Sequence, residues 1–442
     1  MSTNNFYLIS LGCDKNRVDG ETMLGTLCNA GYNLVNDPSA ANVIIVNTCG
    51  FIREAVQESI DLILELSEHK ISGECQTLIV VGCMAERYRN EIMEAIPETD
   101  IIVGVGEYEG IADVVAKFVA PAEKPTTDKV TARLAARAHD AIPHIAYIKI
   151  SEGCDNHCTY CTIPSIRGPY KSRAMEEIVD ECIQLVQAGA KELVLIAQDT
   201  ALYGVDIYGT QKLPELMRKI AKKSGGSWIR LMYAYPEHIT QELVDAMAEL
   251  PQVCKYIDMP IQHSEDYIIK KMGRKGSRKQ LENLIATLRE KIPDITIRTT
   301  LIVGFPGEST AHFNKLYSFV KKMEFDRLGV FPYSQEEGTP AAKMPNQVRE
   351  STKLKRMESI MDLQQQIHFD KQRNKIGKIL PVMVDFKRDD GYYSGRTQWD
   401  AFDVDSLVVF SACEDIPDGE ICLVKITDSD QYDLRGHHEP AE

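Results

Sequence analysis

Residues 151–168 read SEGCDNHCTYCTIPSIRG and set Cys154, Cys158 and Cys161 in a C-x3-C-x2-C pattern. Three thiolates this close can hold three corners of an iron–sulfur cubane, whose usual set is four cysteines. With three, one iron keeps an open position for another ligand. Zinc is the competing occupant, but structural zinc prefers four ligands in paired C-x2–4-C halves. No second pair lies nearby in the sequence.

Outward from this loop the chain alternates. Residues 146–150 (AYIKI) form a strand that runs into the loop, and 174–188 form an amphipathic helix. Strand-length apolar runs follow at 192–196, 228–233, 256–259, 296–303 and 327–331, with helical stretches between them. Strands alternating with helices build a parallel sheet through right-handed crossovers. Six such units are too few to close the eight-stranded barrel. Residues 142–375 therefore form one domain, an open (β/α)6 unit.

The N-terminal region, 5–119, shows the same alternation. Its strand runs are 6–11 (FYLISL), 43–46 (VIIV), 78–81 (LIVV) and 101–103. Helices are expected over 19–30, 53–68 and 86–95. A cysteine follows each of the first three strands: Cys13, Cys49 and Cys83. The carboxyl ends of parallel strands share one edge, where ligands bind, so these three should converge. Zinc and a cubane both remain open here, and three thiolates again leave a free position. Cys28, Cys75, Cys182, Cys254, Cys413 and Cys422 lack such placement and read as small core residues. Residues 120–141, with two prolines and many small or charged residues, read as a linker.

From residue 376 the pattern changes to short strands at 380–386, 392–398, 407–410 and 422–427. Asp390-Gly391 and Asp418-Gly419 mark turns between them. This is a small antiparallel β-barrel over 376–442. The helix before it, 349–375, carries Leu354, Met357, Ile360, Met361, Leu363 and Ile367 at three-to-four spacing, which reads as a core-facing stripe.

Charge bounds the partners. The chain carries a net −15, and residues 376–442 hold 6 Lys and Arg against 15 Asp and Glu. Oligonucleotide binding asks for the opposite sign. An acidic barrel suits a basic protein. The basic run 270–279 (KKMGRKGSRK) has two readings, an RNA contact and a solvated loop with a helix start, and the second is favoured. No apolar run reaches the length of a membrane helix, and the N-terminus lacks a signal-peptide layout. The expected location is cytoplasmic, where twelve cysteines serve as metal ligands more readily than as disulfides.

A C-x3-C-x2-C loop closing a β-strand resembles the signature of the radical S-adenosylmethionine (SAM) enzymes. The resemblance implies a partial (β/α)6 barrel and a cluster whose open iron chelates the amino and carboxylate groups of SAM. An electron from the cluster then yields a 5′-deoxyadenosyl radical that removes a hydrogen atom from carbon. It also implies cofactor contacts. Tyr160 would lie near the adenine. Gln198 and Asp199 stand where many members carry Gly-Gly-Glu, a departure in this chain. Gln262 ends the fourth strand beside His263, and Arg298 lies in the fifth. Val303 belongs to a run, 302–308 (IVGFPGE), that is similar to the family's adenine motif.

Two cysteine triads, a partial barrel and a tail that resembles the TRAM domain together resemble the methylthiotransferases. The resemblance implies two 4Fe-4S clusters. Cys13, Cys49 and Cys83 would hold one, which carries sulfur from sulfide or polysulfide; Cys154, Cys158 and Cys161 would hold the other. One branch of the family modifies adenosine in tRNA. The other modifies a β-carbon of an aspartate in small-subunit ribosomal protein S-twelve. The stretches LGCDKNRVDGETM, NTCGFIREAVQESID, IAQDTALYG and FPYSQEEGTPA are similar to the second branch. The expected partners are S-twelve, free or in the subunit, and an electron donor that the sequence does not identify. A membrane and a direct nucleic-acid substrate are not expected. The tRNA enzyme is the alternative, and a metal-stabilised binding module without chemistry is a third reading. Hydrogen-atom abstraction hardly needs a general base, and no acid–base pair is assigned.

Overall fold

The structure, a computed structural model, describes residues 4–121 and 143–440. The linker expected over 120–141 lies outside the described residues except for its first two. By internal contacts the chain divides into two units. The first takes the described residues of 1–143 with Glu152–Asp155 and Cys161–Tyr170, and the second takes the rest.

The first unit is built on five parallel strands: β1 (Asn5–Ser10), β2 (Asn33–Leu34), β3 (Val43–Thr48), β4 (Thr77–Gly82) and β5 (Ile101–Val103). Their order is β2-β1-β3-β4-β5. β3 and β4 are buried along their whole length, as strands covered on both faces must be. Alternate residues feed two cores. Phe6, Ile45 and Ile79 pack with Met23 and Leu27 on one face, and Ile44, Val46, Leu78 and Val80 pack with Ile63 on the other. The order reverses at β1: the chain steps out to β2, then returns past β1 to β3. Such a switch point is where an open parallel sheet forms a ligand crevice.

Two helix expectations need correction. The helix expected from residue 19 begins at Asp14, so Cys13 is its N-cap. The polar first turn, Asp14-Lys15-Asn16-Arg17, shows no apolar period, which hid it. The helix expected over 86–95 is two, Cys83–Arg87 and Arg89–Ala95, broken at Tyr88 (φ −128°).

In the second unit, β6 (Ile145–Lys149) precedes the cysteine loop, which β7 (Ser151–Glu152) and β8 (Lys171–Ser172) flank in sequence. Then come β9 (Glu192–Ile196), β10 (Trp228–Leu231), β11 (Val253–Asp258), β12 (Thr296–Val303) and β13 (Arg327–Pro332). The sheet order is β13-β12-β11-β10-β9-β6, all parallel, and each strand pairs with the strand of this sheet that precedes it in the chain. This is the open six-stranded unit expected. Thr240, Ser277 and Ser309 cap the helices that cross between strands, each side-chain oxygen accepting from a backbone N–H of the first turn.

The C-terminal strands β14 (Ile379–Lys387), β15 (Tyr393–Arg396), β16 (Val408–Ser411), β17 (Ile421–Ser429) and β18 (Leu434–His438) close into a barrel. β18 was not expected, because LRGHH shows no apolar alternation. It changes the topology: four pairs are antiparallel, while β16 and β18 pair in parallel. A ring of five strands cannot alternate direction all the way round, so one parallel pair is unavoidable.

The barrel docks on the amino ends of the (β/α)6 strands through buried charge. Glu192, the first residue of β9, meets Arg230 of β10 at 2.5 Å and Arg396 of β15 at 2.8 Å. Arg396 also holds Asp385 of β14 at 2.8 Å, and Asp385 holds His144 at 3.1 Å. Glu192, Arg230, Asp385 and Arg396 have no exposed surface. The helix Glu350–Arg373 also differs from expectation. Its buried ridge is Lys353, Arg356, Ile360, Gln364, His368 and Gln372, while Leu354 and Met361 face solvent. Polar side chains bond the fold directly: Lys353 donates to Tyr333 O at 2.7 Å and Gln364 to Phe325 O at 2.8 Å.

Candidate active site

In the first unit, Cys13, Cys49 and Cys83 follow β1, β3 and β4, which are neighbours in the sheet. The register sets Ser10 and Val81 on either side of Asn47, so the three chain reversals stand side by side. Gly12 has φ +90°, and a Cβ there would lie 2.8 Å from Cys49 Cβ. Gly82 has φ +96°, and a Cβ there would lie 2.5 Å from Thr48 O. Both turns need glycine to bring the cysteines together. Two asparagines fasten the strand ends. Asn16 donates to Leu11 O at 2.7 Å and Thr48 O at 3.0 Å, and Asn47 donates to Asn16 O at 2.7 Å.

The three thiols differ in environment. Cys13 is exposed, Cys49 half-buried and Cys83 buried. Burial pushes Cys49 up, and burial pushes Cys83 up to about 11 against the pull of the Arg167 guanidinium. Tyr108 is buried beside them. Burial, then the Asp19 carboxylate, raises its phenol, and its hydroxyl has no hydrogen-bond partner among the described residues. Arg167 is buried in the same place. It pairs with Asp19 and Glu152, each at 3.0 Å. No three His, Cys, Asp or Glu side chains among the described residues surround one single-ion position. A cubane instead spreads its thiolates over separate irons.

The cysteine loop is held along its length. Within the first unit, Cys154 N donates to Gly168 O at 3.1 Å, Tyr170 N to Asp155 Oδ1 at 3.0 Å, and Ile163 N to Cys161 Sγ at 3.4 Å. Within the second unit, Asn156 donates to Asp199 Oδ2 at 2.8 Å, and Thr159 bonds Met272 O and Lys271 O, each at 2.9 Å. Cys158 Sγ lies 3.3 Å from Tyr235 Oη. Burial raises the Tyr235 phenol, so the hydroxyl keeps its proton and is able to donate to a thiolate there. Arg274 lies over the Tyr235 ring at 3.8 Å and is anchored by Glu237 at 2.9 Å.

The residues expected to touch the cofactor separate into three groups. Asp199 is buried and fully engaged: beside Asn156 it holds His238 Nδ1 at 2.7 Å. It orders the loop. Tyr160, Gln262 and Val303 stand at the carboxyl edge with Gln198 just after β9. Tyr160 sits edge-on to Phe305, 6.5 Å between centroids. Gln262 takes φ +66°, and its Oε1 is buried with no hydrogen-bond partner among the described residues. Arg298 is the correction. It is the third residue of β12, near the amino end, and it pairs with Asp258 at 3.2 Å and Asp405 of the C-terminal barrel at 3.7 Å. Strand register carries it away from the edge where the loop lies. Cys413, read as a core residue, is exposed. His263 is buried; its Nδ1 accepts from Glu265 N at 3.0 Å, a structural role.

Sequence reasoning missed Arg167, Tyr235 and Asn156. Tyr235 was findable, since it lies in the aromatic run YAYPEH that leaves β10 at the productive edge. Arg167 carries no spacing signal, because its partners Asp19 and Glu152 are remote in sequence.

Three family models match the chain. "Uncharacterized protein family UPF0004" matches residues 5–104, the radical SAM superfamily residues 148–320, and the TRAM domain residues 376–438. The three matches define a radical SAM enzyme flanked by these two domains. The ribosomal protein uS12 methylthiotransferase RimO of Lachnoclostridium phytofermentans is 45% identical over 437 residues, 98% of this chain and 99% of its own. That of Clostridium kluyveri is 47% identical over 97% of each chain. The chain belongs to the RimO family of radical SAM methylthiotransferases. Among solved structures, the radical SAM methyltransferase TsrM from Kitasatospora setae superposes with a TM-score of 0.56 at 14% identity, covering 77% of each chain. That likeness concerns the fold.

Proposed function

We propose that the chain places a methylthio group on the β-carbon of an aspartate in small-subunit ribosomal protein uS12, in the cytoplasm. Cys154, Cys158 and Cys161 are the ligands of one 4Fe-4S cluster, and Cys13, Cys49 and Cys83 of a second. The second triad carries the proposal: a radical SAM enzyme that only generated a radical would have no use for three cysteines at adjacent strand ends. The residues there fit a cluster. The thiols span separate strand ends, Cys13 is exposed, and the buried Tyr108 hydroxyl, within reach of the Asp19, Arg167 and Cys83 charges, has no hydrogen-bond partner among the described residues.

Cys154, Cys158 and Cys161 would hold the cluster, which with SAM bound would supply the one-electron reduction of SAM and hence the radical for C–H activation. The chain's own residues position this chemistry. Asp199 and Asn156 fix the loop, Tyr235 hydrogen-bonds Cys158, and Tyr160 and Phe305 form an aromatic wall. Gln198, Gln262 and Val303 are the cofactor-facing groups of the edge. Sulfide or polysulfide reaches the second triad from the open side at Cys13. The acidic barrel favours a basic partner, free or in the assembled subunit. Mass spectrometry of uS12 after incubation with anaerobically reconstituted enzyme, SAM and reductant tests this. Methylthio in place of hydrogen on one aspartate is the expected result. A modified tRNA adenosine with unmodified uS12 would refute it.

A further inference from the structure

Arg167 ends the short helix Ile163–Arg167, six residues after Cys161 in the chain. Its side chain is 1% exposed and meets Asp19 Oδ2 and Glu152 Oε1 at 3.0 Å and Asn16 Oδ1 at 3.2 Å. Its helix packs against the helix Cys83–Arg87, which opens with Cys83, and its charge lowers the Cys83 and Cys49 thiols against the burial that raises them. Asn16, its neutral partner, is the residue that fastens Leu11 and Thr48, the positions leading into Cys13 and Cys49. The cation is thus tied to all three strand ends. Its planar fork lets it face two carboxylates and still direct N–H groups toward sulfur. Asp19 and Glu152 hold it in place and more than neutralise it, so without Arg167 the site would set two carboxylates beside three sulfur ligands.

We propose that Arg167 is the positioning cation of the Cys13–Cys49–Cys83 site, directing its N–H groups at the sulfur ligands and stabilising the more reduced state of the cluster they hold. The inference rests on the reading that this triad binds a cluster. An electron added beside a fixed, buried positive charge is stabilised, and hydrogen bonds to ligand sulfur act in the same direction. A purely structural Arg167, tying Glu152 to Asp19, would leave the cluster's electronics unchanged.

The test uses the full chain with Cys154, Cys158 and Cys161 changed to Ala, so that only the second triad can load. The protein is reconstituted anaerobically with iron and sulfide, its iron is counted, and the cluster is titrated against poised mediators while its electron paramagnetic resonance signal is followed. In this background Arg167→Gln should weaken the reduced state tenfold or more, a fall of at least about 59 mV for one electron. Arg167→Lys, which keeps the charge, should recover most of that fall. Asp19→Asn, which removes a counter-charge and leaves Arg167, should move the potential upward. Iron bound with an unchanged potential in Arg167→Gln overturns the proposal. If Arg167→Gln takes up no iron, Asp19→Asn decides: no upward shift overturns it. If the background protein itself binds no iron, the second-cluster reading fails, and this inference with it.

Discussion

Glu192→Gln is the sharpest probe of how the C-terminal barrel is attached. Glu192 is buried without exposed surface between Arg230 at 2.5 Å and Arg396 at 2.8 Å. Burial alone would raise its carboxyl, but the two guanidinium charges prevail and hold it down to about 2 from 4.5. At ~1.4 kcal/mol per pKa unit, that depression is worth about 3 kcal/mol to the ionised form. Gln keeps the shape but leaves two buried cations short of a counter-charge, a loss of about 3–5 kcal/mol. The chain has two tryptophans, Trp228 in β10 and Trp399 in the C-terminal barrel region, so urea unfolding followed by fluorescence reports on both sides of the junction. The sign in pH follows from a depressed pKa. The stabilisation is complete above about pH 4.5 and is lost as pH falls toward about 2. Glu192→Gln should therefore lower stability at neutral pH and flatten that part of the acid limb. A variant within about 1 kcal/mol of the parent, the range of an ordinary substitution, would refute the reading that this network holds the barrel in place.

Other outcomes follow from the site. Changing Cys154, Cys158 and Cys161 to Ala should abolish 5′-deoxyadenosine formation, while changing Cys13, Cys49 and Cys83 should leave it and remove about half the bound iron, as two cubanes require. Asp199→Ala strands the Asn156 amide and His238, costing about 1–3 kcal/mol of local order, and should slow SAM cleavage about tenfold, read by product release. Tyr235→Phe removes the hydroxyl beside Cys158 and should shift the loop cluster's visible spectrum and potential without changing its iron content. Asp389→Lys with Glu414→Lys, both exposed on the C-terminal barrel, should slow uS12 association at low salt about tenfold, with the difference fading as salt rises.

The sequence revealed most where one residue type marks one position. Cysteine after each strand predicted the convergence of Cys13, Cys49 and Cys83, because parallel strands share an edge and β1, β3 and β4 are neighbours. It revealed least where the determinant is a partner far along the chain. Arg298 resembled a strand-end cofactor residue, yet only register shows it three residues into β12 and paired with Asp405. The 350–373 helix was legible as a helix but not in its face. Apolar residues at three-to-four spacing suggested the core, while the strand ends and carbonyls it covers selected Lys353, Arg356 and Gln364. β18 stayed hidden because its five residues lack alternation and only barrel closure calls for them.

The charge of the C-terminal barrel, the argument for a basic partner, has to be taken after its internal use is removed. Asp385 is committed to Arg396 and His144, Asp400 to Arg327, and Asp405 to Arg298 and Tyr256. Setting aside these three and Arg396 leaves five cations against twelve carboxylates from residue 376 onward. Asp389, Asp403, Glu414, Asp418, Glu420 and Asp428 remain exposed. The buried acids bind the barrel to the amino ends of the (β/α)6 strands, so the carboxyl edge, where the cysteine loop is anchored, stays clear of it. One composition thus serves two purposes by position. Buried carboxylates paired with arginine fix the barrel's place, and exposed ones leave a surface whose sign favours a basic partner over nucleic-acid phosphate.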